Sequence, residues 1–64
     1  MNEVAQIIAK RDNITFESAV TTLEEIREII MAMIEDGFTI DEIEDVWLNA
    51  TGLELDYMMQ VIYH

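Results

Sequence analysis

Apolar and polar positions along this chain repeat with the period of an α-helix. Apolar side chains recur every three to four residues, no run alternates strictly between apolar and polar, and proline is absent. A period near 3.6 residues is typical of amphipathic helices, whereas strands alternate with a period of 2. The pattern therefore predicts an all-α fold, a compact bundle of about four helices with one long central helix.

Cap residues and one glycine predict where the first two helices begin and end. The first helix is predicted over residues 3–10, with Asn2 as its N-cap. The second and longest is predicted over residues 16–36, with Thr15 as its N-cap. Gly37 follows it and suits the left-handed residue that commonly ends a helix.

The second half of the chain carries a sharper local signature. Thr39 and Glu42 have the spacing of a capping box, which predicts a third helix that starts beside them and ends at Gly52. A fourth helix is predicted over residues 55–63. Two helices joined by a turn at residues 50–53 make this half helix-turn-helix-like.

A chain of 64 residues predicts a single domain, residues 1–64, with a small core. The apolar positions on each predicted helix define that core. They are Val4, Ile7 and Ile8; Phe16, Ala19, Val20, Leu23, Ile26, Ile30, Met33 and Ile34; Ile40, Ile43, Val46, Trp47 and Ala50; and Leu55, Met58, Met59, Val61 and Ile62.

Three apolar residues do not fit this core. Ile29 and Met31 fall to opposite sides of the main apolar stripe of the second helix, and Leu48 lies among acidic residues on the third. One interpretation is a surface for self-association or for a partner. The other is that the first and fourth helices wrap the second from both sides.

Net charge limits the partners that this chain can have. Fourteen acidic residues against three basic ones give a formal charge of −11. Such a surface repels phosphate backbones and anionic lipid, so we expect no direct nucleic-acid binding and no membrane association. A protein partner with a basic surface is favoured instead.

The acidic residues are predicted to gather on the outer faces of the second and third helices. Those of the second helix lie within about 40° of one another on the helical wheel, opposite the core stripe. The predicted acidic face consists of Glu17, Glu24, Glu28, Glu35, Asp41, Glu42, Glu44 and Asp45. It is either a solvated face that serves solubility or a set of carboxylates that takes the place of phosphates in a nucleic-acid-binding groove.

The residue inventory argues against catalysis and against bound metals. Cysteine is absent and His64 is the sole histidine, so thiolate sites, histidine metal sites and nucleophile–base triads lack their residues. We expect a non-enzyme without cofactors. No apolar run approaches the roughly 20 residues that span a bilayer, and no signal peptide is evident, so we expect a cytoplasmic protein.

The chain resembles a family of small acidic proteins encoded by phages and prophages of Gram-positive bacteria. The resemblance rests on Ala9-Lys10-Arg11-Asp12-Asn13-Ile14, on the glycine after the second helix, on Glu44-Asp45 and on Gly52-Leu53-Glu54-Leu55-Asp56-Tyr57. It implies a helical fold and a setting in the cytoplasm of the bacterial host. Inhibitors of host nucleic-acid enzymes and of defence nucleases recur among small acidic phage proteins.

These observations together predict a non-enzymatic, phage-type inhibitor that mimics nucleic acid and occupies a basic groove of a host nucleic-acid-handling or defence protein. We expect it to be a homodimer, with Ile29, Met31 and Leu48 serving dimerisation or anchoring the partner. The alternative is a small dimeric assembly or adaptor module that binds through its apolar surface, with acidity serving solubility only. A transcription-related adaptor built on the helix-turn-helix-like half is a third possibility, although its fourth helix carries no Lys or Arg.

Overall fold

The computed structural model describes residues 2–63, which form a small all-α bundle. The helices are α1 (Asn2–Asp12), α2 (Phe16–Glu35), α3 (Ile40–Thr51) and α4 (Leu55–Ile62), and the described residues contain no strand. The 20 residues of α2 span about 30 Å at 1.5 Å per residue. This length accounts for the long dimension of a molecule that measures 34 × 17 × 17 Å. The predicted fold class, with one long helix in the bundle, is confirmed.

Both predicted side-chain N-caps of the longer helices are present. The Oγ1 atom of Thr15 accepts a hydrogen bond of 3.0 Å from the backbone N–H of Ser18. At the start of α3, Thr39 Oγ1 accepts from the N–H of Glu42 at 3.2 Å, while Glu42 Oε1 accepts from the N–H of Thr39 at 3.1 Å. This reciprocal pair confirms the capping box and satisfies two N–H groups that a helix start leaves without partners.

Both glycines end helices, as predicted, and both adopt the left-handed conformation that was predicted for Gly37. Gly37 has φ +83°, and the next residue, Phe38, donates from its N–H to the carbonyl of Met33 at 3.1 Å. This bond across six residues is the Schellman closure. Gly52 has φ +70° and donates to the carbonyl of Leu48 at 2.8 Å. Residues with a Cβ adopt these angles at a cost, which explains glycine at both places.

The first helix is longer than predicted at both ends. Asn2 is the first helical residue rather than the N-cap, and the helix continues past residue 10 to Asp12. Asn13 then adopts φ +55°, and the N–H of Ile14 donates to the carbonyl of Ala9 at 3.0 Å. Asn tolerates the left-handed region better than most residues, so it ends α1 as glycine ends α2 and α3.

The remaining boundaries agree with the prediction within two residues. The second and fourth helices end at Glu35 and Ile62, each one residue earlier than predicted. Ala50 and Thr51 belong to α3 rather than to the turn, which leaves three residues, 52–54, between α3 and α4. The C-terminal half is therefore two helices joined by a short glycine turn.

The core is built around α2, which contacts each of the other three helices. Trp47 is completely buried, as are Leu23 and Ile30 on α2. The buried apolar side chains are Val4, Ala5, Ile8, Ala19, Leu23, Ile26, Ile30, Ile43, Trp47, Met58, Val61 and Ile62. All of these except Ala5 were predicted from the apolar stripes.

Six residues predicted for the core are exposed. They are Phe16, Ile34, Ile40, Ala50, Leu55 and Met59. Phe16 and Ile34 lie at the two ends of α2, whose 20 residues extend past helices of 11, 12 and 8 residues. Ile40 and Leu55 are the first residues of their helices. A helical stripe is buried only along the length that a neighbouring helix covers.

Long-range hydrogen bonds join the helix ends. The guanidinium of Arg11 donates to the carbonyl of Thr51, which ties the end of α1 to the end of α3. Arg27 Nε donates to the carbonyl of Val61 at 3.2 Å, which ties α2 to the last turn of α4. Arginine donors satisfy carbonyls that a helix C-terminus leaves without intrahelical partners.

Candidate partner-binding surfaces

Four carboxylates on α2 form an acidic stripe, defined as Glu17, Glu24, Glu28 and Glu35. All four residues are exposed. At 100° per residue they lie about 100–140° around the helix from the buried Leu23. Eighteen residues separate the first from the last, which corresponds to about 27 Å along the helix axis. The stripe therefore runs almost the full length of the molecule on its solvent side.

The acidic residues of α3 are placed less uniformly. Asp41 and Asp45 are exposed, whereas Glu44 is half-buried. Glu42 is exposed, but its carboxylate accepts hydrogen bonds from the N–H and hydroxyl of Thr39. These bonds lower the pKa of Glu42 below its ordinary value. Glu42 thus contributes negative charge while also holding the start of its helix.

Basic side chains do not neutralise this surface. Within residues 2–63 the ion pair is Arg11 with Asp12, 2.9 Å apart at the end of α1. That pair lowers the pKa of Asp12 and raises the pKa of Arg11, chiefly through the hydrogen bond between the two side chains. Arg27, the basic residue of α2, donates instead to a carbonyl of α4. Within residues 2–63, therefore, no basic side chain forms an ion pair with the acidic stripe or with Asp41 and Asp45.

Charge is divided unevenly among the helices. Residues 16–51, which contain α2 and α3, carry ten acidic residues and one basic residue, whereas residues 2–12 carry two of each. Residues 55–63 carry one acidic residue, Asp56, and no basic residue. The two helices with little net charge, α1 and α4, contact each other. The molecule therefore has strongly acidic helices and nearly neutral ones.

The three apolar residues predicted to lie off the core are on the surface. Ile29, Met31 and Leu48 are 54%, 37% and 49% exposed. Ile29 and Met31 lie about 160° apart around α2, so they do not share one flat patch. The interpretation in which neighbouring helices cover these residues from both sides is wrong, because α1, α3 and α4 are too short and too few to enclose α2.

Met31 and Leu48 each lie next to carboxylates. Met31 follows Glu28 by three residues and precedes Glu35 by four, which places it beside the acidic stripe. Leu48 stands four residues after Glu44 and three after Asp45 on α3. Each is therefore an apolar contact point bordered by negative charge.

Sequence reasoning missed a row of exposed apolar side chains on α4, here called the helix-4 ridge. Leu55, Met59 and Tyr63 are 36%, 45% and 66% exposed. Their i, i+4, i+8 spacing puts them on one side of the helix and its C-cap. A signal was present, because Met58, Met59, Val61 and Ile62 make this segment apolar almost all round, and such a helix is rarely buried all round in a small domain.

The described residues hold little that suggests small-molecule chemistry. A shallow depression of about 440 Å³ is lined by Thr15, Glu17, Ser18, Thr21 and Thr22. Its Thr21 and Thr22 hydroxyls donate to carbonyls of α2 at 3.1 and 3.0 Å, so they are engaged within the helix. Within residues 2–63, no three His, Cys, Asp or Glu side chains are grouped closely enough to hold a metal ion, and His64 falls outside that range. Among the described helices, none is long and apolar enough to cross a bilayer.

Comparison with protein-family models, with curated proteins and with solved structures found no match to this chain. A functional assignment therefore rests on the surfaces described above: the acidic stripe with its neighbouring apolar residues, and the helix-4 ridge.

Proposed function

We propose that this protein acts by protein–protein contact, as an acidic inhibitor that mimics nucleic acid and occupies a basic groove of another protein. Following the resemblance noted in the sequence, we place it among phage-type proteins, in the cytoplasm of a bacterial host, and its partner among host nucleic-acid-handling or defence proteins. The observation that carries the proposal is the acidic stripe, which is exposed along about 27 Å of α2 and has no basic side chain paired to it within residues 2–63.

The length of the acidic stripe sets the length of the partner's groove that it can occupy. A length of about 27 Å corresponds to about eight base pairs at 3.4 Å each. Four carboxylates over that length are sparser than the phosphates of one strand, so Asp41 and Asp45 on α3 supplement them. The mimic therefore replaces selected phosphates rather than a continuous backbone.

We expect apolar contacts to slow the dissociation of the complex. Charge complementarity accelerates association and loses strength in salt, whereas buried apolar side chains at the centre of an interface slow dissociation. Met31 and Leu48 lie among the carboxylates, so they are positioned to be buried when the acidic residues meet a basic groove. We propose them as the anchors of the partner.

The test begins with capture of partners from host lysate at low and high salt, followed by identification of the retained protein and by competition with duplex DNA. The diagnostic variant carries Glu24→Gln and Glu28→Gln. Its matched control carries Gln6→Lys and Gln60→Lys, which change the net charge equally on exposed positions of α1 and α4. We expect the diagnostic variant to bind about tenfold or more weakly, a loss of about 1.4 kcal/mol, and the control to bind as the wild type does. Equal weakening of both would show that net charge, rather than the stripe, governs binding.

A second candidate function is an assembly or adaptor module that binds through apolar surface, and the exposure of Ile29 and Leu48 favours it. In that case acidity serves solubility only. Capture of the partner would then persist at high salt. The double variant Ile29→Ser with Leu48→Ser would abolish capture, whereas Glu24→Gln with Glu28→Gln would leave it unchanged. Under either function we propose that the chain is a homodimer.

A further inference from the structure

We infer that a second copy of this chain docks on the helix-4 ridge, so that two α4 helices pack antiparallel about a two-fold axis near Met59. The inference stands apart from nucleic-acid mimicry, because it concerns a different helix and a different occupant. It assigns the homodimer to a surface other than Ile29, Met31 and Leu48.

The ridge has the form of a helix-pairing face. Leu55, Met59 and Tyr63 follow one another at intervals of one turn, and all three are at least 36% exposed. On the adjoining face of the same helix, about 110° away, Met58, Val61 and Ile62 are buried in the core. Helix 4 is therefore anchored by one face and presents a second apolar face to solvent.

The distribution of charge around the helix-4 ridge favours a second copy of the chain over a basic partner. Two copies that each carry −11 repel each other, so they can approach only through surface that is poor in carboxylates. Asp56 is the one charged residue among residues 55–63, and α1, which contacts α4, carries equal numbers of acidic and basic residues. A basic partner would find only Glu54 and Asp56, at the N-terminal end of this ridge, whereas a second copy meets less repulsion there than at the acidic stripe.

The surfaces around Met31 and Leu48 are rich in carboxylates, so they are unfavourable for pairing two copies. Pairing two copies through Met31 would bring Glu28 and Glu35 against the same residues of the other copy. Pairing through Leu48 would bring together two α3 helices that each carry four acidic residues and no basic residue. Like charges brought together across an interface weaken it. These two residues suit a basic partner, and the helix-4 ridge suits a second copy.

Two-fold symmetry gives the ridge a self-complementary register. An isologous interface uses the same surface on both subunits. In an antiparallel pair centred on Met59, the two Met59 side chains meet and each Leu55 faces a Tyr63. The two Asp56 residues then lie six residues apart, about 9 Å along the axis, whereas parallel pairing would place them side by side.

The dimer should be reversible and should tighten as salt is added. Eight residues of α4 extend about 12 Å, so the contact is smaller than the roughly 1,600 Å² of a standard stable interface. Salt screens the repulsion between the two acidic chains and leaves the apolar contact intact. Binding of a basic partner through the acidic stripe has the opposite salt dependence, which separates the two events.

Sedimentation equilibrium over a range of protein and salt concentrations tests the inference. We expect the apparent mass of the wild type to rise from the chain mass of 7.4 kDa towards twice that value as the protein or the salt concentration increases. Met59→Glu should remain a monomer with unchanged helix content. Met31→Glu is the matched control, because it makes the same chemical change at a similarly exposed methionine, and it should dimerise as the wild type does. A wild type that stays monomeric, or a dimer that Met31→Glu disrupts equally, would overturn the inference.

Cysteine cross-linking tests the register directly, since the natural chain contains no cysteine. Under mild oxidation, Met59→Cys should form a disulfide-linked dimer, because the residue lies at the proposed two-fold axis. Met31→Cys, the control, should form far less at the same concentration. Equal cross-linking of the two would contradict the antiparallel pair. Neither result depends on the basic partner, and Met59→Glu should retain the wild-type affinity for that partner.

Discussion

The indole nitrogen of Trp47 donates a hydrogen bond to the backbone carbonyl of Glu54, 3.1 Å away. Trp47 is completely buried on α3, and Glu54 is the N-cap of α4. The Glu54 side chain makes no capping hydrogen bond. One tryptophan thus fills the centre of the core and also holds the residue from which α4 begins.

Replacement of Trp47 by Phe should therefore weaken the whole domain. The change removes part of a buried ring and leaves the Glu54 carbonyl without its donor, and we expect a loss of about 2 kcal/mol. This is a large part of the total for a domain of this size, which is about 3–10 kcal/mol. Urea unfolding followed by circular dichroism measures it. Leu48→Ala, an exposed site on the same helix, should shift stability by less than about 0.5 kcal/mol. A Trp47→Phe protein as stable as the wild type would refute this role.

The capping box should make stability depend on pH through Glu42. Hydrogen bonds from Thr39 lower the pKa of Glu42 in the folded state below its ordinary 4.5. A depressed pKa contributes stability that is present above the unfolded value and is lost as pH falls through the folded value. Glu42→Gln keeps an acceptor for Thr39 and removes the titration. We expect the Tm of the wild type relative to this variant to rise as the pH increases from below the lowered folded-state pKa of Glu42 to above its ordinary value of 4.5. A Tm difference that does not change with pH would contradict the assignment.

Substitutions of Gly37 measure the cost of its backbone conformation alone, because a Cβ added there would meet no heavy atom within 4 Å. The backbone has φ +83°, so Gly37→Ala costs only the left-handed conformation, about 1 kcal/mol. Gly37→Asn should cost less, since Asn tolerates this region, as Asn13 does at the end of α1. Thermal unfolding should rank the three proteins Gly, Asn, Ala in decreasing stability. An alanine variant at least as stable as the wild type would show that this conformation is not required.

The helix ends could be predicted from the sequence because their causes are local. Thr15 and Thr39 each bond to an N–H three residues away, and Gly37 and Gly52 adopt left-handed angles that few other residues tolerate. Such interactions need only the neighbouring residues. The end of α1 at Asn13 has an equally local cause, a left-handed residue with φ +55° followed by the 3.0 Å bond from Ile14 to Ala9, but this conformation was not predicted.

Burial depended on distant parts of the chain, and there the prediction was incomplete. Phe16 and Ile34 belong to the same apolar stripe as Leu23, and no local feature distinguishes them. What exposes them is the length of α2 relative to its neighbours, a property of the assembled bundle. Leu55 and Met59 show the same limit on α4, where the sequence pattern did not reveal which side faced α2. The prediction that Ile29, Met31 and Leu48 lie outside the core is confirmed, while the exposure of the helix-4 ridge was missed.

The acidic stripe should cost the protein stability, so that charge reversal within it strengthens the fold while it weakens partner binding. Glu24 and Glu28 are an i, i+4 pair of like charges on exposed positions, and such a pair destabilises a helix by a few tenths of a kcal/mol. Glu28→Lys converts it into a favourable pair, for an expected gain of about 0.5 kcal/mol at low salt that shrinks as salt is added. Glu28→Gln, the control, removes repulsion without adding attraction and should gain less. Urea unfolding at two ionic strengths, beside partner affinity, measures both effects. If Glu28→Lys were less stable than the wild type at low salt, Glu28 would have a structural role, and its exposed charge would no longer favour a function in binding.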